Sequence, residues 1–238
     1  MNPAVKEILF LVIETVAIAE NYEQLNERLK VQWARKASFF KRDELQSDAD
    51  LFNLRAGIYA EFGKIITIGI GMFTEGESGQ LGLRTKYFTS HDESQLLKEF
   101  KELLEKLGPA TKLCAHNGKE FDFPYLSRRM LVNGISLPEV LDLSGKKPWD
   151  IPHLDTLELW KFGDYKHYTS LDLLAALFNI PTSKGVMDGS QVNEVYYKEK
   201  DLTKISEYCL GDVIAVAQLY LRLKGLPLIA PSNIIQAE

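Results

Sequence analysis

The chain has 238 residues with 45% apolar and 26% charged side chains, a composition that excludes a disordered or fibrous chain and suits one large domain. A net charge of −5 excludes a global basic field, so a polyanion partner would need a local basic cleft. Cys114 and Cys209 lie in apolar segments and form no CxxC pair, which excludes a disulfide framework and favours a reduced, cytoplasmic setting.

In chain order, Ile8-Leu9-Phe10-Leu11-Val12-Ile13 reads as a strand buried on both faces and ending at Glu14. Lys6, the apolar run and Ala17-Ile18-Ala19 imitate a secretory signal, but Glu14 interrupts the run. No stretch approaches the ~20 apolar residues of a membrane span. Leu25, Leu29 and Trp33 give Asn21–Phe40 helical spacing, followed by a polar loop or helix end from Lys41 to Asp50. Gly57–Phe62 and Lys64–Phe73 read as two strands joined at Gly63, and Leu81–Phe88 as a third beyond the turn at Glu75–Gly79. Ser90 or Asp92 caps a helix that Gly108-Pro109 ends. Leu113–His116 is a short strand, Phe123–Leu131 a helix, and Pro138–Pro152 irregular. Thr169 or Ser170 caps Leu171–Phe178, Gln191–Glu199 and Leu202–Lys224 are helical, and the residues from Pro227 onward form a loose tail. Strands first and helices after them predict an α/β domain with a mixed sheet.

Three acids stand beside apolar elements. Asp212 falls on the stripe Leu202, Ile205, Cys209, Val216, Leu219, Leu223, with Tyr208 one turn before it. A core-facing aspartate needs hydrogen bonds, a counter-charge or a metal. Asp122, before Phe123-Pro124, is explained by capping a helix alone, the reading that its own context favours. Glu14 could pair with a lysine at the strand end, so each acid alone leaves both structural and functional readings open.

Together the segments resemble the DEDD superfamily of 3′–5′ exonucleases, in its tyrosine-bearing DEDDy branch. Leu11-Val12-Ile13-Glu14-Thr15 resembles the first motif, His116-Asn117-Gly118-Lys119-Glu120-Phe121-Asp122-Phe123-Pro124-Tyr125-Leu126 the second, and Tyr208-Cys209-Leu210-Gly211-Asp212 the third. The last two are most similar to the proofreading domain of family B DNA polymerases. Ser170–Leu174, Pro181–Lys184 and Asp188–Val192 also resemble a stand-alone bacterial group of exonucleases related to it. The resemblance runs from Ile8 to Leu223 and implies a ribonuclease-H-like fold, with a mixed central sheet flanked by helices. One domain over residues 1–226, with a helical insertion at 20–50 and a tail at 227–238, follows from it.

The implied chemistry is hydrolysis at a single-stranded 3′ end, DNA in preference to RNA, with two Mg²⁺ or Mn²⁺ ions about 3.5–4 Å apart. Glu14 and Asp212 would hold the first ion, Asp122 would support the second, and Tyr208 would orient the attacking water. Asn117, Lys119, Phe121, His167 and Tyr168 are the implied nucleic-acid contacts, with Lys166, Arg128 and Arg129 as further basic candidates. A solvated surface for the cations and a core position for the aromatics are the competing readings. The family's first motif carries an aspartate two positions before its glutamate, where this chain has Val12. That residue bridges both ions, so its replacement predicts a weakened second ion and little hydrolysis. An altered residue in an active lineage and a non-catalytic module that binds nucleic-acid ends both remain open, as does an RNA-trimming hydrolase.

Overall fold

β1 (Ile8–Ala17) is the middle of the molecule because almost every side chain along it is apolar and buried, so both faces must be covered. It pairs antiparallel with β2 (Gly63–Glu75), from Leu9 opposite Met72 to Ala17 opposite Gly63. On its other side it pairs parallel with β4 (Lys112–Ala115), a ladder that stops at Phe10 opposite Cys114. β3 (Leu81–Thr89), β5 (Leu154–Asp155) and β6 (Ile234–Gln236) complete a six-stranded mixed sheet in the order β5-β4-β1-β2-β3-β6. The computed structural model describes residues 7–43, 45–76, 79–164, 168–182 and 187–237.

Helices cover both faces. Leu9, Leu11 and Ile13 pack with Leu97 and Phe100 of α3 (Glu93–Leu107) and with Phe123 and Leu126 of α4 (Asp122–Val132). Ile8 and Phe10, on the opposite face, meet Val213, Val216 and Tyr220 of α7 (Leu202–Leu223). α1 (Glu27–Ala37) and α2 (Asp48–Arg55) carry a small core of their own around Trp33, whose indole N–H donates to the Asp48 carbonyl at 2.8 Å. α5 (Thr156–Lys161) and α6 (Leu171–Leu177) lie against α7.

Three expectations differ from the structure. Gly57–Phe62 is a 3₁₀ turn (Ala56–Ile58) leading into β2, not a strand; both the Thr15 and Tyr125 hydroxyls donate to the Gly57 carbonyl at 2.8 Å, holding the turn against β1. The polar run before Asp50 ends in a capped helix, α2, whose Ser47 side chain accepts from the Asp50 amide. The residues after Pro227 are tied down: Ile234–Gln236 extends the sheet beside β3, and Gln218 makes two hydrogen bonds to Ile229. Lys6, Glu77-Ser78 and Ser183-Lys184 of the segments named above lie outside the described residues.

Candidate active site

The carboxyl end of β1 and the end of β4 form one edge of a cleft. The β1–β2 register shifts between Glu14 and Thr15, an irregularity of the kind that re-aims a side chain at the end of a ladder. Glu14 is buried, at 8% exposure, on the side of β1 that faces α7. α7 reaches the strand because β2 carries no side chain beneath it at Gly69 and Gly71. A Cβ at Gly69 would stand 2.8 Å from the Cys209 sulfur and 2.9 Å from Val213. The Cys209 thiol donates to the Val12 carbonyl at 3.4 Å, which fixes Asp212, one turn further on, beside the strand end.

Asp122 is not the N-cap that its sequence context suggests. Phe121 occupies that position, and Asp122 is the first helical residue. Its Oδ1 accepts instead from the Ile13 amide at 3.1 Å. The β1–β4 ladder has already ended at Phe10, so Asp122 supplies an acceptor that a neighbouring strand otherwise would.

Val12, Glu14, Asp122 and Asp212 line a cleft of about 210 Å³, together with Phe121, Tyr168, Leu171 and Val216. A second cavity of about 250 Å³ shares Tyr168 and Asp212 with it and adds Tyr208, Asp172, Asp188 and Gly189. A third of about 430 Å³ shares Glu14 and Phe121 and adds Asn53, Ile58 and Asn193. Shared walls make these one groove running past the acids. Val12, Leu171 and Val216 present hydrocarbon to this cleft beside the acids.

Burial raises the Glu14 carboxyl well above its ordinary range, and the charges of Asp212 and Asp122 push it further in the same direction. Asp122 is raised to about 7, mainly by burial, with the Ile13 amide pulling the other way. The Tyr208 phenol is also raised, by burial and then by Asp212, with which it shares a side-chain hydrogen bond, so it stays neutral. Mutually repelling carboxylates favour a cation among them. Among the described residues, however, no three His, Cys, Asp or Glu side chains form a group that could hold a metal ion. What the donor set offers is a pair, Glu14 and Asp212. One or two carboxylates suffice for a single Mg²⁺ ion that keeps its waters and takes phosphate oxygens. Val12, in the same wall, has no lone pair to offer an ion.

Other expected contacts are dispersed. Asn117 takes a left-handed conformation (φ 62°) and serves the turn into α4. Lys119 pairs with Glu158 at 2.7 Å and borders a different cavity. Arg129 is buried and committed to Glu93 and the Ala60 carbonyl. His167 and Lys166 lie outside the described residues.

Asp155 is the residue that sequence reasoning missed. Its carboxylate accepts from the amides of Asn117, Lys119 and Leu157, which clamps the turn that carries Phe121 and Asp122. Gly118 is required in that turn, since a Cβ there would collide with the Ala115 side chain. His116 ties the same corner to the segment bearing Tyr168, accepting from the Thr156 hydroxyl at 2.9 Å and donating to the Thr169 carbonyl at 2.8 Å. The available signal was the run His153-Leu154-Asp155-Thr156, an acid ending a short alternation just before a helix.

The model of a family described as predicted 3′–5′ exonucleases related to the exonuclease domain of PolB matches residues 58–227, a span that holds Asp122, Tyr208 and Asp212 but not β1. Among curated proteins nothing matches. Among solved structures, the chain is similar to the family B DNA polymerase from the hyperthermophilic archaeon Pyrobaculum calidifontis. That match has a TM-score of 0.56 and 16% identity, over 91% of this chain and 24% of the polymerase. The chain thus spans about a quarter of the polymerase's length, and the likeness supports the ribonuclease-H-like fold.

Proposed function

The chain belongs to the family of predicted 3′–5′ exonucleases related to the exonuclease domain of PolB, and on that premise we propose that its groove receives a single-stranded 3′ end, DNA in preference to RNA. The observation that carries this reading is the meeting of Glu14, Asp122 and Asp212 with the aromatic rings of Phe121 and Tyr168 around one cleft. The rings would stack the terminal base. The neutral Tyr208 hydroxyl, anchored by Asp212, would orient the attacking water towards the last phosphodiester. Mg²⁺ or Mn²⁺ held by Glu14 and Asp212 would supply positive charge against the phosphate oxygens. A second ion near Asp122 lacks its bridging ligand, so hydrolysis by the chain as it stands is impaired. A second reading, an end-binding module without hydrolysis, is favoured by one observation, the apolar wall of Val12, Leu171 and Val216.

The test compares the chain with its Val12→Asp variant in Mn²⁺, on a 5′-labelled single strand. The expected result is stepwise shortening from the 3′ end that rises on the order of 100-fold or more in the variant. Strand binding without cleavage in both forms favours the end-binding module, and absence of binding in both overturns the proposal. Matched deoxy- and ribo-strands decide the sugar preference.

A further inference from the structure

Outside the acid groove, the most unusual surface of the molecule is the cavity of about 400 Å³ between Pro148-Trp149 and the end of α5. Trp149, in its wall, is 76% exposed. A large aromatic side chain so open to water gains nothing for folding, and one left open in the wall of a cavity marks a contact surface. Lys147 lies over the Trp149 ring, 5.3 Å from its centroid, and Lys161 lines the cavity. Glu120 lines it too, and Lys119 is neutralised by Glu158, so the cations do not dominate.

The cavity adjoins the groove along one short piece of chain. Lys119 and Glu120 line it, while the next two residues, Phe121 and Asp122, line the acid cleft. Asp155 clamps the backbone of this turn from beneath, so the two sites are held in fixed relation. A polymer whose end lies in the cleft can therefore continue past the turn onto Trp149.

We infer that the Trp149 cavity is an accessory single-strand site, where bases upstream of the 3′ end stack on Trp149. This inference rests on the proposed reading of the groove. Stacking is tolerant of sequence because every base has a π-face, and the balanced charge around the cavity leaves phosphate attraction a minor contributor. The site thus selects for strand length rather than sequence, and its affinity depends only weakly on salt.

The experiment titrates the protein in Mg²⁺ with phosphorothioate-protected single strands, one a trinucleotide and one of about 15 nucleotides, near the upper end of single-strand site sizes. Trp33 is fully buried and Trp160 half-buried, so quenching of tryptophan emission by the long strand reports chiefly on Trp149. In Trp149→Ala, an exposed position whose change leaves the core intact, the quench should vanish. Affinity for the long strand should fall roughly tenfold, with trinucleotide binding unchanged. Long-strand binding of equal strength in both forms, without quenching, overturns this inference and leaves the groove reading standing; the surface would then belong to a protein partner. Failure of the unaltered chain to bind either strand overturns both.

Discussion

At the scale of single residues, the most committed buried charges are not those of the groove but Glu93 and Arg129. Both are nearly fully buried, and the Arg129 Nε donates to Glu93 Oε1 at 2.9 Å. Glu93 also accepts from the Ile65 amide and from Asn133, which ties α3 and α4 to the start of β2. Removing one partner strands the other charge in a low-dielectric interior, which costs far more than the pair contributes. Arg129→Met should therefore destabilise the chain by roughly 3–5 kcal/mol, seen as a fall in Tm of about 6–20 °C. Adding Glu93→Gln should recover part of the loss, because the neutral amide no longer needs a counter-charge. Equal Tm values for the single and double variants would mean that packing, not charge, dominates here. Arg129 shows the limit of composition: an arginine on a helix after a nucleic-acid-like motif invites a surface role, and only the fold reveals that it faces inward.

At the scale of elements, the decisive contact is α7 on β2, since α7 positions both Tyr208 and Asp212. Gly69→Ala places a methyl group against the Cys209 sulfur and Val213 in a closed interface, so α7 must move away from the sheet. The expected cost is about 1–3 kcal/mol in urea unfolding, with Cys209→Ala in the same background relieving part of it. A neutral Gly69→Ala would show that α7 has slack to yield. The elements that sequence made legible are those with long, clean periodicity: β1, β3, α3 and α7 stand where their apolar patterns put them. Short elements were illegible for the same reason. β5 has two residues and α5 six, too few to carry a period, so the only cue to Asp155 is an acid at the end of a very short alternation before a helix. Gly57–Phe62 has the apolar content of a strand, yet Ile58 is 55% exposed and the segment turns under Thr15 and Tyr125. The family span of residues 58–227 includes two of the three acids, and Glu14 joins them only through sheet pairing, which local pattern does not encode.

At the scale of the whole molecule, the groove lies outside the carboxyl ends of the parallel neighbours β1 and β4, where open α/β sheets leave a crevice. Placing acids there makes stability depend on pH in two opposing ways. His153 is buried and neutral: it accepts from the Leu113 amide at 3.2 Å and donates to the Val140 carbonyl at 2.8 Å, and burial lowers it to about 4. A depressed histidine contributes stability that is present above its ordinary value and lost as pH falls from about 6.5 towards 4. Asp122 has the opposite sign. With its folded value raised to about 7, the stability it contributes is present at low pH and is lost as pH rises towards 7. Glu14, also raised, adds to that side. The two carboxyls together outweigh one histidine, so the metal-free chain should lose stability between about pH 5 and 7. Asp122→Asn keeps an acceptor for the Ile13 amide while removing the ionisation. It should be more stable than the unaltered chain at neutral pH by roughly 2–4 kcal/mol. Its profile should flatten, because Glu14 alone now opposes the acid-sensitive histidine. Urea unfolding across that pH window measures both slopes. An unchanged slope in Asp122→Asn would leave the loss of stability to Glu14 alone.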